Sequence, residues 1–354
     1  MWVKADGIML KHLEGEGELY FAGRFACIFR RGCLLLALPG DRQVALATLA
    51  LYQPQSIRAR LLVVLIKLLI HSNLHLKLLP SREISFRENS PITRLKAGYG
   101  QFGFLLGNPC SDARCVIIAR ISTEGLVIDK VGLSEPARQA VAAEFSTMLG
   151  LPENLPGLLN IREHDANNQW AFYSCPMMSG FSPRKCDDDL VIKTLRSWGK
   201  HAQKKPLADS EQWQRAIDFA ASHHLAKASK LLDENKNLSV TMGVIHGDFS
   251  PWNIKINHQG EVTVIDWEYA SRTGPAVWDW LHYLLQRSSL VDKMSASSSL
   301  QVCRSWAQSP EGRVLMDEAG WGSHTELCIG SYLLYSNAMG RFEHENLLAQ
   351  WIRQ

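Results

Sequence analysis

The stretch Val244-Ile245-His246-Gly247-Asp248-Phe249-Ser250-Pro251-Trp252-Asn253-Ile254-Lys255-Ile256-Asn257-His258-Gln259-Gly260-Glu261-Val262-Thr263-Val264-Ile265-Asp266-Trp267-Glu268 holds the densest set of chemistry-bearing residues in the chain. Ile254 to Ile256 and Val262 to Ile265 are β-prone runs on either side of Asn257-His258-Gln259-Gly260, a pattern that predicts a hairpin. Folding it brings its two open ends together. Asn253 stands at one end and Asp266 at the other.

Two oxygen-bearing side chains at one point suit Mg²⁺, which takes few protein oxygens and completes its shell with water and phosphate. Asp248, five residues before Asn253, lies on the loop ahead of the hairpin. A carboxylate there can accept the proton of an incoming hydroxyl and hold that hydroxyl in line with a transferring phosphoryl group. His246 is expected to brace the loop. Taken singly, each of these residues is what a cap or a turn carries; the specific signal is their joint spacing.

That spacing is H-x-D-x-x-x-x-N followed, after a hairpin, by a further Asp. His246-Gly247-Asp248 with Trp252-Asn253, then Ile265-Asp266-Trp267-Glu268, resembles the aminoglycoside phosphotransferase and choline kinase family. Protein kinases usually have Arg between His and Asp, and Phe-Gly after the metal Asp; Gly247 and Trp267-Glu268 favour a small-molecule kinase instead. Glu268-Tyr269-Ala270 is similar to choline and ethanolamine kinases. The clear match is confined to this part of the chain; the order of elements extends it loosely over 98–354, and the first 95 residues lie outside it.

The resemblance implies an α+β, bilobal protein-kinase-like fold, with a small antiparallel-sheet N-lobe over 96–178 and a mainly helical C-lobe over 179–354. Residues 1–95 form an N-terminal helical extension, an accessory region. It further implies ATP and Mg²⁺ as cofactors and a small-molecule hydroxyl acceptor: a sugar, an amino alcohol or an aminoglycoside. Asp248 becomes the catalytic base, Asn253 and Asp266 the magnesium ligands. Asp279, in Trp278-Asp279-Trp280, becomes the residue that braces the catalytic loop, a role compatible with that of a buried helix cap.

The N-lobe reads as Phe102 to Leu106, a turn-like Gly107 to Asp112, then Cys115 to Ile121 and Leu126 to Val131 joined by Ser122-Thr123-Glu124-Gly125. Ser134 caps a helix with the stripe Val141, Phe145, Met148 and Leu149. A strand from Trp170 to Cys175 leads into Pro176 to Gly180, a hinge that carries Met177 as a nucleotide contact. The family places a strand lysine on the ATP phosphates, paired with a helix glutamate; Lys130 and Glu144 fit in order and separation, with Glu135 a weaker substitute. No G-x-G-x-x-G is present, and Ser111 is the candidate contact in the glycine-poor loop 107–113.

A chain of 354 residues is long for one core, and 46% hydrophobic with 21% charged residues is a globular composition. A formal charge of +3 gives no reason to expect nucleic acid as a partner. Eight cysteines without a C-x-x-C pair argue against zinc and disulfides and for a reducing cytoplasm. The start has no secretory-signal pattern, and the apolar run Leu61 to Ile70, interrupted by Lys67, is too short to span a bilayer.

In the extension, Asp41 caps a helix through Tyr52, Pro54 breaks it, and a second helix runs over residues 56–71 with Arg58, Arg60 and Lys67 and no acid. That helix either packs on the body of the protein or makes a peripheral contact with an anionic membrane or a lipid-linked substrate. Residues 295–299 are expected to be a flexible connector. Trp252, Trp267, Tyr269, Trp278, Trp280 and Tyr283 crowd the acceptor region, most as core, and Glu326, Glu343 and Glu345 are acids for a cationic acceptor. The competing reading is a catalytically weak kinase-like nucleotide-binding protein that works through partners.

Overall fold

The computed structural model describes residues 19–30, 33–52, 54, 57–87, 101–107, 115–123, 125–178, 180–199, 202–341 and 344–353. The chain divides into two compact units, one of residues 1–146 and 160–178, the other of 147–159 and 179–354.

The first unit is built on an antiparallel sheet of β1 (Leu19–Arg30), β2 (Cys33–Leu38), β3 (Ser81–Arg87), β4 (Phe102–Leu106), β5 (Cys115–Ser122), β6 (Gly125–Gly132), β7 (Glu163–Ala166) and β8 (Ala171–Pro176). Their order across the sheet is β3-β1-β2-β4-β5-β6-β8-β7. Its helices among the described residues are α1 (Arg42–Leu51), α2 (Ile57–His71), α3 (His75–Leu78) and α4 (Glu135–Leu149). Alternation along the strands makes two cores. Phe25 and Cys27 join Phe102, Phe104 and Leu106 in one buried cluster. Their neighbour Ala26 joins Leu36 and Leu38, Ala45 and Leu49 of α1, and Ile66 and Ile70 of α2 in the other. Gly103 lets α1 lie against the sheet, since a Cβ there would overlap the Thr48 hydroxyl.

The extension is therefore not only helical. Its helices occur as expected, with the Asp41 carboxylate accepting from the Val44 N–H at 2.8 Å. Three of its strands, however, continue the sheet across the boundary expected at residue 95. Short apolar runs such as Cys33 to Leu38 have no period that separates strand from buried helix. On α4, Val141, Phe145 and Met148 are buried, but Leu149 at the end of the stripe is exposed.

The second unit contains α5 (Asp188–Trp198), β9 (Gln203–Pro206), α6 (Glu211–Ser222), α7 (Ala226–Glu234), β10 (Ser239–Ile245), β11 (Ile254–Ile256), β12 (Val262–Val264) and β13 (Ser271–Pro275). It ends with α8 (Trp278–Gln286), α9 (Ala296–Gln308), α10 (Pro310–Glu318), α11 (Thr325–Ala338) and α12 (Glu345–Ile352). β11 and β12 are the expected hairpin, paired Ile254 to Val264. A second sheet, β13-β10-β9, was not visible in the sequence. The serine-rich stretch is no connector: Ser295 caps α9 by accepting from the Ser298 N–H, and Ser299 is buried in its first turns. Among the described residues, no helix is long and apolar enough to cross a membrane.

Candidate active site

β10 delivers the chain into the loop 246–253, and two anchors fix that loop from below. Asp279, in the first turn of α8, accepts the His246 N–H at 2.6 Å and the Gly247 N–H at 2.9 Å. Gly247 needs its missing side chain: its φ is +78°, and a Cβ would overlap the Tyr269 carbonyl oxygen. Arginine, the residue of protein kinases at this point, has no room here.

The second anchor is the His246 ring. It is fully buried against Trp267, with ring centroids 4.8 Å apart. The Asp248 N–H points at its Nδ1 at 3.2 Å, and the Ile265 carbonyl lies 3.0 Å from its Nε2. A backbone N–H only donates, so Nδ1 accepts and Nε2 carries the proton. This neutral imidazole ties the loop to the strand end before Asp266. Burial pushes its pKa down to about 4 against the pull of Asp248 and Asp266.

Asp248 sits at the crown of the loop with its carboxylate part-exposed, 23% accessible and so within reach of a ligand. Oδ1 accepts from the Ser250 hydroxyl at 2.8 Å and lies 2.7 Å from His282 Nε2; Oδ2 accepts from the Asn253 amide at 2.9 Å. On the far side of His282, Nδ1 meets Arg341 Nη1 at 3.1 Å and the Tyr332 hydroxyl. A guanidinium can only donate, so the His282 ring proton sits on Nε2, aimed at Asp248. Burial works against charge on Asp248, but the His282 hydrogen bond, with Arg341 behind it, more than cancels that. The carboxyl is held well below the usual range and stays ionised at any working pH.

The hairpin places the two expected oxygen donors at its open end. The Ile265 N–H donates to the Asn253 carbonyl at 2.8 Å, so Asp266 follows directly on the last paired residue. Asp266 has φ +68°, a left-handed conformation that short polar residues tolerate and β-branched ones do not.

In the first unit, Lys130 of β6 pairs with Glu144 of α4 at 2.7 Å, both largely buried, and the Tyr173 hydroxyl donates to the same carboxylate at 3.0 Å. Glu135 instead binds Arg138 on the surface. The Met177 N–H is already engaged by the Leu126 carbonyl at 2.9 Å, just past β8. Ser111 lies outside the described residues.

Of the acceptor-region aromatics, Trp267, Trp278, Trp280 and Tyr283 are core, Trp252 is half-buried and Tyr269 exposed. The Arg341 guanidinium lies 5.0 Å from the Tyr269 ring centroid. Glu326 is bound to Arg304, Glu345 opens α12, and Glu343 lies outside the described residues. A cavity of about 430 Å³ borders Asp279, Trp198 and Trp280, but Asp248, Asn253 and Asp266 do not line it.

Sequence reasoning missed Ser250, His282, Tyr332 and Arg341. His282 follows Asp279 by three residues on one helix, a shared face that could have drawn attention to it. Arg341 had no local signal.

The two buried anchors titrate against each other. Burial raises the Asp279 pKa to about 6 despite the two N–H groups it accepts. Above pH 6 its charge costs stability, and acidification relieves that cost. His246, whose folded pKa is depressed, contributes stability present above its unfolded value near 6.5 and lost as pH falls toward 4, on the order of 3 kcal/mol. As pH falls from 6.5 toward 4 the two effects have opposite sign, so the aspartate offsets part of the loss from the histidine. Asp279→Asn turns its amide N–H₂ toward one of the two backbone donors and lowers stability at every pH, but it removes the carboxyl titration, and urea unfolding across this range is expected to show a steeper acid loss than in the parent. Equal pH slopes in the two proteins contradict the assignment.

Among solved structures, the chain is similar to a thermostable mutant of aminoglycoside phosphotransferase APH(4)-Ia in ternary complex with ADP and hygromycin B. The identity is 15%, the coverage 73% of this chain and 97% of that one, and the TM-score 0.46. It is also similar to the choline kinase LicA from Streptococcus pneumoniae (12% identity, 67% and 88% coverage, TM-score 0.41). A third is the Plasmodium vivax ethanolamine kinase (11% identity, 70% and 81% coverage, TM-score 0.41). No curated protein matches the sequence. The model of the phosphotransferase enzyme family, APH, matches residues 187–306, the segment that holds Asp248, Asn253, Asp266, Asp279 and His282. The loop and the hairpin thus lie within the one segment that is similar to the phosphotransferase enzyme family.

Proposed function

We propose that this protein is an ATP- and Mg²⁺-dependent phosphotransferase that phosphorylates a hydroxyl group of a small molecule, with Asp248 as the base. One observation carries the reading: an ionised, part-exposed carboxylate held by Ser250, His282 and Asn253 on a loop anchored twice from below. Asp248 accepts the hydroxyl proton as the acceptor oxygen bonds to the γ-phosphorus and the bond from that phosphorus to ADP breaks. Phosphoryl transfer gains most from such positioning and from charge neutralisation, so a weakly basic but fixed carboxylate is suited to it.

Asn253 and Asp266 fit a magnesium ion by donor type, an amide oxygen and a carboxylate, both hard, and the backbone pairing of Ile265 with Asn253 supports their sharing one ion. The ion, when bound, neutralises charge on the phosphates. In the first unit, Lys130, steered by Glu144, meets the ATP phosphates, and Met177 contacts the nucleotide through groups other than its amide. The acceptor class is a sugar, an amino alcohol or an aminoglycoside-like molecule.

Incubating the full chain with ATP and a panel of such acceptors, with and without Mg²⁺, tests this. Expected is ADP formation that needs both acceptor and metal, with a product heavier by one phosphoryl group. Nucleotide binding with no acceptor-dependent turnover across the panel favours the competing reading of a binding protein.

A further inference from the structure

Helix α2 buries one side and leaves the opposite side bare. Ile66 and Ile70 lie in the core, whereas Leu61, Leu62, Val64, Leu65 and Leu68 are between 47% and 65% exposed. At the helical angle, Val64, Leu68, Leu61 and Leu65 fall within an arc of about 100°. Exposed Arg60 and Lys67 border this arc on one side and exposed Arg58 on the other. The helix has no acid, and among the described residues no carboxylate pairs with these three cations. Isolated exposed leucines are ordinary on a protein surface; a continuous stripe with cations on both flanks is not.

We infer that α2 is a membrane-docking helix that lies flat in the surface of an anionic bilayer. Its apolar stripe enters the headgroup–acyl boundary while the long basic side chains reach up to the phosphates. At about 22 Å it is too short to cross a hydrocarbon core of about 30 Å. The cations decide between lipid and a second copy of the chain. In a two-fold symmetric pair the same stripe faces itself, which brings Arg58, Arg60 and Lys67 of both copies together without an acid to meet them. Anionic headgroups satisfy them.

This inference does not depend on the catalytic reading, and its test needs no activity. The full chain is sedimented with phosphatidylcholine vesicles and with vesicles that also contain phosphatidylglycerol. Binding to the anionic vesicles is expected to be roughly tenfold or more tighter, and to weaken with added salt. The triple variant Leu61→Ser, Leu65→Ser, Leu68→Ser should lose it. The variant Arg58→Gln, Arg60→Gln, Lys67→Gln should bind both vesicle types alike, and thermal unfolding of each variant reports its fold. Equal sedimentation of parent and serine variant, salt-insensitive binding, or a dimer in solution that the serine variant abolishes while vesicles are ignored would each overturn it.

Discussion

Replacing Asp248 with alanine is expected to lower turnover by roughly 10²–10⁴-fold while nucleotide binding persists. The carboxylate is the one charged oxygen group that the loop presents, and three donors hold it in place. Under the proposed mechanism, its removal leaves the hydroxyl of the acceptor without a proton acceptor and without an orienting partner. Asparagine is not a quiet replacement here. Its amide N–H₂ would face either His282 Nε2–H or the Asn253 amide, both donors, so Asp248→Asn should be impaired at least as severely as a simple loss of charge implies. Steady-state kinetics with the acceptor found in the panel, together with nucleotide titration of the variant, checks this. Turnover at the parent level in Asp248→Ala removes the base assignment.

The second large effect is expected at Asp279, which touches no substrate atom in this reading and acts as a positioning residue. Asp279→Ala strands two buried backbone N–H groups, those of His246 and Gly247. Each loses a hydrogen bond to a carboxylate, so destabilisation of about 3 kcal/mol or more is expected, partly offset because the buried charge itself was costly. Because Gly247 is already in a left-handed conformation against Tyr269, the released loop has other shapes open to it. A shift of about 1 Å at Asp248 is enough for a hundredfold fall in turnover. The structural part has its own readout. Amide exchange at His246 and Gly247 should become fast in the variant while exchange in α6 and α11 stays slow, and unchanged protection at the two amides refutes the brace.

The loop and the hairpin were legible because their information is local. Apolar alternation and a polar turn that ends in Gly260 set the pairing of Ile254 with Val264, and that pairing alone brings Asn253 and Asp266 to one mouth. Lys130 and Glu144 were readable for a similar reason, since a strand followed at once by its helix leaves few ways to pack. What surrounds Asp248 was not legible. Tyr332 lies 50 residues from His282 and Arg341 lies 59, and only tertiary packing brings them together. β9 escaped notice because Gln203-Lys204-Lys205-Pro206 has no apolar face; it is a strand through backbone pairing with Ser239 to Met242. The serines at 295–299 look like a linker by composition, yet they supply a helix cap.

Arg341 gives the protein a built-in order of completion. It is added to the growing chain long after Asp248, and a nascent protein that has not yet extruded the segment beyond α11 lacks the cation that fixes the proton on His282. During synthesis the loop and hairpin can therefore take shape before the proton of His282 is fixed toward Asp248. The hydrogen-bond setting of the His282 ring is thus a late event of biogenesis, complete only once Tyr332 and Arg341 have reached it.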